Sequence, residues 1–266
     1  MQPLLNIAIR AARRAGEVIV RGMNRAHRLD VRAKGQNDFV TEIDMLAERE
    51  IIETVRKHYP DHAFLAEESG QSGDAEFVWI IDPLDGTTNY VHGFPQFAVS
   101  IGVQRRGRME HGVVYDPLRQ ELFTASRGEG ALLDGRRIRV SGHVSLERAL
   151  IGTGFPYRSN LHWLDSYMEM FKAVTQQTAG IRRAGSAALD LAYVAAGRLD
   201  GFWELGLSPW DTAAGTLLIT EAGGMVGTLT GGEYKQKGHI VAGTPKVYAA
   251  LLEILRPYVP EELRDA

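Results

Sequence analysis

The chain has 266 residues, 44% of them hydrophobic and 24% charged, with 30 basic against 33 acidic residues for a net charge of −3. That size and composition suit one large globular domain or two modest ones, and the charge balance offers no bulk attraction to a polyanion, so strong direct nucleic-acid binding is not expected. No cysteine is present, which excludes disulfides, thiolate metal sites and a cysteine nucleophile, and leaves carboxylate, imidazole or carbonyl groups to hold any metal.

The first predicted element is an amphipathic helix: Leu4, Ile7, Ala8, Ala11, Ala12, Ala15, Val18 and Ile19 recur at helical spacing, with Pro3 in the first turn. Arginines interrupt its apolar stretches, it lacks a signal-peptide core, and no apolar run reaches about 18 residues, so a soluble cytoplasmic protein with no membrane association is expected. A polar loop, Lys34-Gly35-Gln36-Asn37-Asp38, leads to a second helix from near Thr41, with Ile43, Ala47, Ile51 and Val55 on one stripe and a stop before Pro60. His62 to Ala66 reads as a strand. VWIID, FAVSIGVQ, MEHGVVYD, ELFTASRG and ALLDGRRIRV then form an antiparallel meander, with turns at Arg106-Gly107-Arg108 and Asp134-Gly135.

Beyond about residue 145 the order is mixed. A short strand from Leu150 to Thr153 precedes helices over about 161–177 and from Ser186 to Ala196, a strand from Gly201 to Glu204 and a helix from Pro209 to Ala222. Strands near 225–229 and 239–242 and a helix over about 245–257 follow. Layered α/β (α+β) architecture is expected, with no repeat or linker. An N-terminal half, 1–145, carries most of the candidate ligands; a C-terminal half, 146–266, closes a cleft against it, the two forming one compact catalytic unit.

The segment IDPLDGTTNYVHGFP (81–95) sets two acids three positions apart around a proline. Alone it reads equally well as a solvated turn. Ile80 and Ile81 commit Asp82 to the end of a buried strand that Pro83 is expected to terminate, and a half-buried carboxylate needs a compensating cation or donor. With Asp85 and the Leu84 carbonyl it forms the start of a hard-cation site. Gly86-Thr87-Thr88 then opens a short helix whose free amides offer an anion pocket. Glu67 and Glu68 stand at a strand exit, where solvated charges are the commoner reading. Ser208-Pro209-Trp210-Asp211 and Thr41-Glu42-Ile43-Asp44 both fit capping boxes, so Asp211 and Asp44 each have a structural explanation beside a functional one.

Taken together, VTEID (40–44), AEES (66–69), DPLDGTTNYVHGFP (82–95) and PWDTAAG (209–215) resemble, in order and spacing, the signature segments of the inositol monophosphatase family of magnesium-dependent, lithium-sensitive phosphatases. The resemblance covers nearly the whole chain and departs at Ala66, where many relatives carry glycine. It implies an αβαβα five-layer sandwich, a homodimer, and hydrolysis of myo-inositol 1-phosphate or a related polyol phosphate by metal-activated water. Carried over by position, it implies a first magnesium on Glu67, Asp82 and the Leu84 carbonyl, a second on Asp82, Asp85 and Asp211, and a weaker third facing Glu67 through water. Thr87 and Asp44 would activate the water with Glu67, and the Gly86 and Thr87 amides would cradle phosphate. Asp85, Ala187 and Glu204 would meet substrate hydroxyls, and Lys34 resembles a basic residue on a loop that closes over the metals.

Rival readings remain open on the sequence. No H-x-x-x-H spacing supports a histidine metal site, and Gly128-Glu129-Gly130 reads as a hairpin turn better than as a dinucleotide fingerprint. Fructose bisphosphate, a 3′-phosphonucleotide or histidinol phosphate are alternative substrates. The segment IRRAGSAALDLAYVAAGRLDGFWELGLSPWD (181–211) resembles a bacterial branch of the family associated with ribosomal RNA transcription and ribosome biogenesis. That branch implies RNA polymerase or transcription elongation and antitermination factors as partners of a regulatory protein, with phosphatase activity secondary. Arg182-Arg183 would belong to such a surface, to a helix start or to a dimer interface.

Overall fold

The computed structural model describes residues 2–23, 31–35, 38–142, 145–156 and 158–264, with side chains outside 31–41 and 157–159. The N-terminal helix α1 (Pro3–Met23) and α2 (Glu42–Arg56) pack against each other and against one face of an eight-stranded sheet. Its strands are β3 (Ala63–Ala66), β4 (Gly70–Ser72), β5 (Phe77–Asp85), β6 (Ala98–Arg105), β7 (Arg108–Asp116), β8 (Glu121–Ser126), β9 (Gly130–Leu133) and β10 (Arg136–Ile138). They lie in the order β10-β9-β8-β7-β6-β5-β3-β4, antiparallel except for β3 beside β5. The expected meander is therefore present, and the turn at Asp134-Gly135 is made with positive φ at both residues.

A second sheet of five strands comprises β11 (Leu150–Thr153), β12 (Gly180–Arg182), β13 (Gly201–Leu207), β14 (Met225–Gly227) and β15 (Gly238–Gly243), ordered β12-β11-β13-β15-β14. Between the sheets lie α5 (Ala187–Ala195) and α6 (Pro209–Glu221); α4 (Leu164–Thr175) and α7 (Pro245–Leu255) cover the far face. Strand periodicity explains the layers, because successive side chains point to opposite faces. Trp79, Ile81 and Val113 enter the outer core with α1 and α2, whereas Ile80 and Val114 enter the middle core with α5 and α6. In the second sheet Phe202, Ile240 and Ala242 join the middle core, and Trp203 and Val241 join the core beneath α4 and α7. Each large side chain so buried contributes roughly 1.5–3 kcal/mol. The result is the five-layer αβαβα sandwich.

Close approach of α6 to the first sheet requires small residues at the contact. A Cβ on Gly112 of β7 would lie 2.8 Å from the Ala214 carbonyl oxygen, inside the helix backbone itself. α5 is accordingly rich in alanine and nearly wholly buried, and α6 places Ala213, Ala214 and Gly215 in its buried stretch.

Three expectations need correction. The stretch 34–38 is not simply a loop: β1 (Val31–Gly35) and β2 (Asp38–Thr41) form a separate antiparallel hairpin. The Lys34 backbone lies in β1, but its side chain, like that of Thr41, is outside the described residues. β4 and β12, both three-residue edge strands, had no apolar run to reveal them. Pro83, finally, does not end β5. The strand continues to Asp85, with Asp82 opposite Ser100 and Asp85 opposite Ala98, so that two residues of β5, Pro83 and Leu84, face one of β6. That is a bulge, and a bulge tolerates the missing proline donor because the ladder is interrupted there anyway.

Candidate active site

The bulge determines what Asp82 and Asp85 can do. Three positions apart on a regular strand, they would point to opposite faces of the sheet; the extra residue restores Asp85 to the face that Asp82 shares with Ile80. Both then meet Asp211, from the first turn of α6, and one oxygen atom from each of the three carboxylates lies within 4.8 Å of the others. Leu84 takes the opposite direction, into the outer core, while remaining part of the cleft wall.

These residues line a cavity of about 340 Å³ between the two sheets, together with Glu67, Gly86, Thr87, Asn89, Ala187, Asp190, Glu204 and Arg183. Glu67 follows β3 directly, and its amide donates to the Ile81 carbonyl at 3.1 Å, extending the β3–β5 pairing to the cleft edge. The turn beyond it is held by Glu48 of α2, a buried carboxylate that accepts from the Glu68 and Ser69 amides at 2.8 and 3.0 Å. Nothing in the spacing of α2 marked Glu48 as more than a surface acid.

Asp85 ties the two sheets' layers together. Its Oδ2 accepts from the Ser186 hydroxyl at 2.6 Å and from the Ala188 amide at 2.8 Å, at the start of α5. A carboxylate is favoured at a helix N-terminus, yet burial outweighs those donors and pushes the Asp85 carboxyl up to about 6. Asp82 is raised well above the ordinary range, first by burial and then by the charges of Glu67, Asp85 and Asp211. Asp211 accepts from the Ser208 amide at 2.7 Å, completing the capping box. The capping role leaves lone pairs of Asp211 free for the functional reading, since a carboxylate offers about four lone-pair positions.

After β5 the chain turns through Gly86, at φ 98°, into α3 (Thr87–Val91). Thr87 donates to Asp44 Oδ1 at 2.8 Å, its oxygen also lying 3.1 Å from the Leu84 carbonyl. Asp44 is fully buried in the first turn of α2, behind Thr87 and outside the cavity lining. Asn89 donates to the carbonyls of Gln96 at 2.7 Å and Ala184 at 2.9 Å, fastening α3 to the turn before α5.

The Arg182-Arg183 pair is split by the fold. Arg182 sits on the edge strand β12, whereas Arg183 enters the cleft wall with its guanidinium 5.4 Å from the Phe155 ring centre. Facing it are Glu204, from β13, and Asp190, from α5, both nearly fully buried and both raised well above ordinary carboxyl values by burial first. Asp190 was not singled out from sequence, although an acid within the apolar run AALDLAYVA was the available signal. Six acids and one arginine line the cavity. Hard, oxygen-only donors crowded in this way fit an oxygen-preferring cation, and without one the wall would repel anions.

No helix among the described residues is long and apolar enough to cross a membrane. The inositol monophosphatase family model matches residues 1–259. The Nus factor SuhB of Pseudomonas aeruginosa is 58% identical, over 99% of this chain and 100% of that protein. The extragenic suppressor protein suhB from Bartonella henselae superposes with a TM-score of 0.93 at 43% identity, covering 97% of this chain and 100% of that one. Inositol monophosphatase II from Staphylococcus aureus, solved with inositol monophosphate bound, matches with a TM-score of 0.80 at 28% identity over 96% of this chain and 95% of that one. Fold, cleft and whole-length sequence agree, and the chain belongs to the inositol monophosphatase family.

Proposed function

We propose that this chain is a magnesium-dependent phosphate monoester hydrolase acting on myo-inositol 1-phosphate or a related polyol phosphate. The observation that carries the reading is the convergence of Asp82, Asp85 and Asp211 in a cleft of six acids and one arginine. A phosphate dianion enters such a cleft only with its acids neutralised. Glu67, Asp82, Asp85, Asp211 and the Leu84 carbonyl would hold the ions. When bound, magnesium supplies charge neutralisation, polarisation of the phosphate oxygens and a lowered pKa for the attacking water. Thr87, oriented by Asp44, and Glu67 would position that water and take its proton, while the Gly86 and Thr87 amides hold phosphate oxygens without reorganisation. Ala187 and Glu204 would meet the substrate's free hydroxyls. The bound inositol monophosphate of the Staphylococcus aureus relative supports a polyol substrate here.

A phosphate-release screen over inositol, sugar and nucleotide phosphates, with and without magnesium, tests this. Release from no polyol phosphate would overturn it. Metal binding has its own pH signature. Because the Asp85 carboxyl is raised to about 6, the native metal-free state binds more protons than the unfolded chain between about pH 4 and 6, and that carboxylate costs stability as pH rises through the window. A cation removes the cost only where the ligands are ionised. Magnesium at a hundred times its Kd is expected to add about 2.7 kcal/mol, or roughly 5–10 °C in Tm, at pH 8. At pH 5 the increment should be much smaller, and equal increments at both would contradict ligation by Asp85.

A second reading rests on the name of the Pseudomonas aeruginosa relative, a Nus factor over its full length. In that reading the chain binds RNA polymerase or antitermination factors. Capture of those proteins by the tagged chain from its native cell is the expected result, and repeated failure to recover any of them would remove the reading.

A further inference from the structure

Asp190 is a buried charge without a structural employer. It is 2% exposed, on a helix whose neighbouring positions Ala188, Leu189, Leu191 and Ala192 are all in the middle core, and yet it lines the cleft. Among the described residues its carboxylate accepts no hydrogen bond and forms no ion pair; Arg183 acts on it only through space, against the repulsion of Asp85. A carboxylate held at a cleft wall with no protein donor calls for a partner from outside the chain, and a residue serving only to fill this position would be neutral.

Its neighbour across the cleft has the same character. Glu204 is 6% exposed and lines the same cavity, and its carboxylate accepts no hydrogen bond among the described residues. The two approach the end of β11 at alternate residues: a Cβ on Gly152 would stand 3.6 Å from Asp190 Cβ, and one on Gly154 would collide with the Glu204 carboxylate. The charge on Asp190 is felt by Glu204, second only to burial. Two acceptor groups, both lacking protein donors, therefore face one cavity. Hydroxyl groups are the neutral donors that satisfy such a pair.

Resting on the phosphatase reading, we propose that Asp190 contacts substrate, and that with Glu204 it forms a paired acceptor for two adjacent hydroxyls of a polyol phosphate. Asp190 then sets the preference for polyols over phosphate esters that lack neighbouring hydroxyls. The site needs no movement of the chain, only a ligand carrying donors at two linked carbons.

The test compares kcat/KM for inositol 1-phosphate and p-nitrophenyl phosphate in the full chain with magnesium, for wild type, Asp190→Ala and Asp190→Asn. Loss of a hydrogen bond to a charged group predicts a fall of about 10- to 100-fold on inositol 1-phosphate for Asp190→Ala, with p-nitrophenyl phosphate changed by less than about twofold. Asp190→Asn keeps the shape and one acceptor, so its fall is smaller but still confined to the polyol; it carries the test if the alanine variant fails to fold. An equal fall on both esters, or an unchanged ratio, overturns the proposal while leaving the phosphatase reading intact. Wild-type chain that hydrolyses neither ester overturns both.

Discussion

Asp85→Asn is expected to lower phosphate release by about 100- to 1,000-fold, the scale on which loss of one preorganised charge-stabilising group is felt, without unfolding the chain. The asparagine carbonyl can take the position of Oδ2 and keep accepting from Ser186 and Ala188. Its amide would then face Asp82 and Asp211, donating where a carboxylate repelled. Two opposite changes in Tm should follow: the metal-free variant melts higher than metal-free wild type, and magnesium no longer raises the variant's Tm. Differential scanning fluorimetry with and without chelator separates these outcomes. A variant that keeps both turnover and metal response would contradict the placement of Asp85 in the metal site.

Gly86→Ala should damage stability and activity together. The residue sits at φ 98° and ψ 34°, where an L side chain is strained, and the new Cβ would lie 2.9 Å from the Gln96 carbonyl oxygen and 3.3 Å from that of Gly185. Neither obstacle is a flexible side-chain tip. Left-handed backbone costs roughly 1–2 kcal/mol and overpacking about 1–3 more, which corresponds to a fall in Tm of roughly 4–20 °C. Relief of the clash must move α3 away from the turn held by Asn89, displacing the Gly86 and Thr87 amides. A thermal melt and a phosphate-release assay read the two effects; a variant with unchanged Tm would show that the turn is more compliant than its geometry indicates.

Much of this architecture was legible because local chemistry agrees with the fold. The alanine stripe of α1, the alternating runs of β6 to β8 and the Ser208-Pro209 start of α6 each carry their own signal. Features set by distant pairing were not legible. Proline suggested that β5 stops, since only the partner strand β6 reveals that the ladder skips a residue. Arg182 and Arg183 read as one basic pair, and nothing local indicated that one would lie on an edge strand and the other against Phe155. Glu48 and Asp190 carried no motif signal of their own because their importance lies in what packs against them, or fails to. The candidate ligands came from a specific motif; that Asp82, Asp85 and Asp211 converge is visible only in the tertiary structure.

The bulge at Pro83-Leu84 also makes chain length part of the site's chemistry. A substitution in this stretch alters one side chain, but deletion of either bulge residue would change the parity of the strand end. Asp85 would then turn toward the α1–α2 core, with all six cleft acids still present in the sequence and the carboxylate trio dismantled. Spacing between Asp82 and Asp85 is in this sense as exacting as the identity of the two acids, and an insertion or deletion here would undo the carboxylate trio while looking like a change of loop.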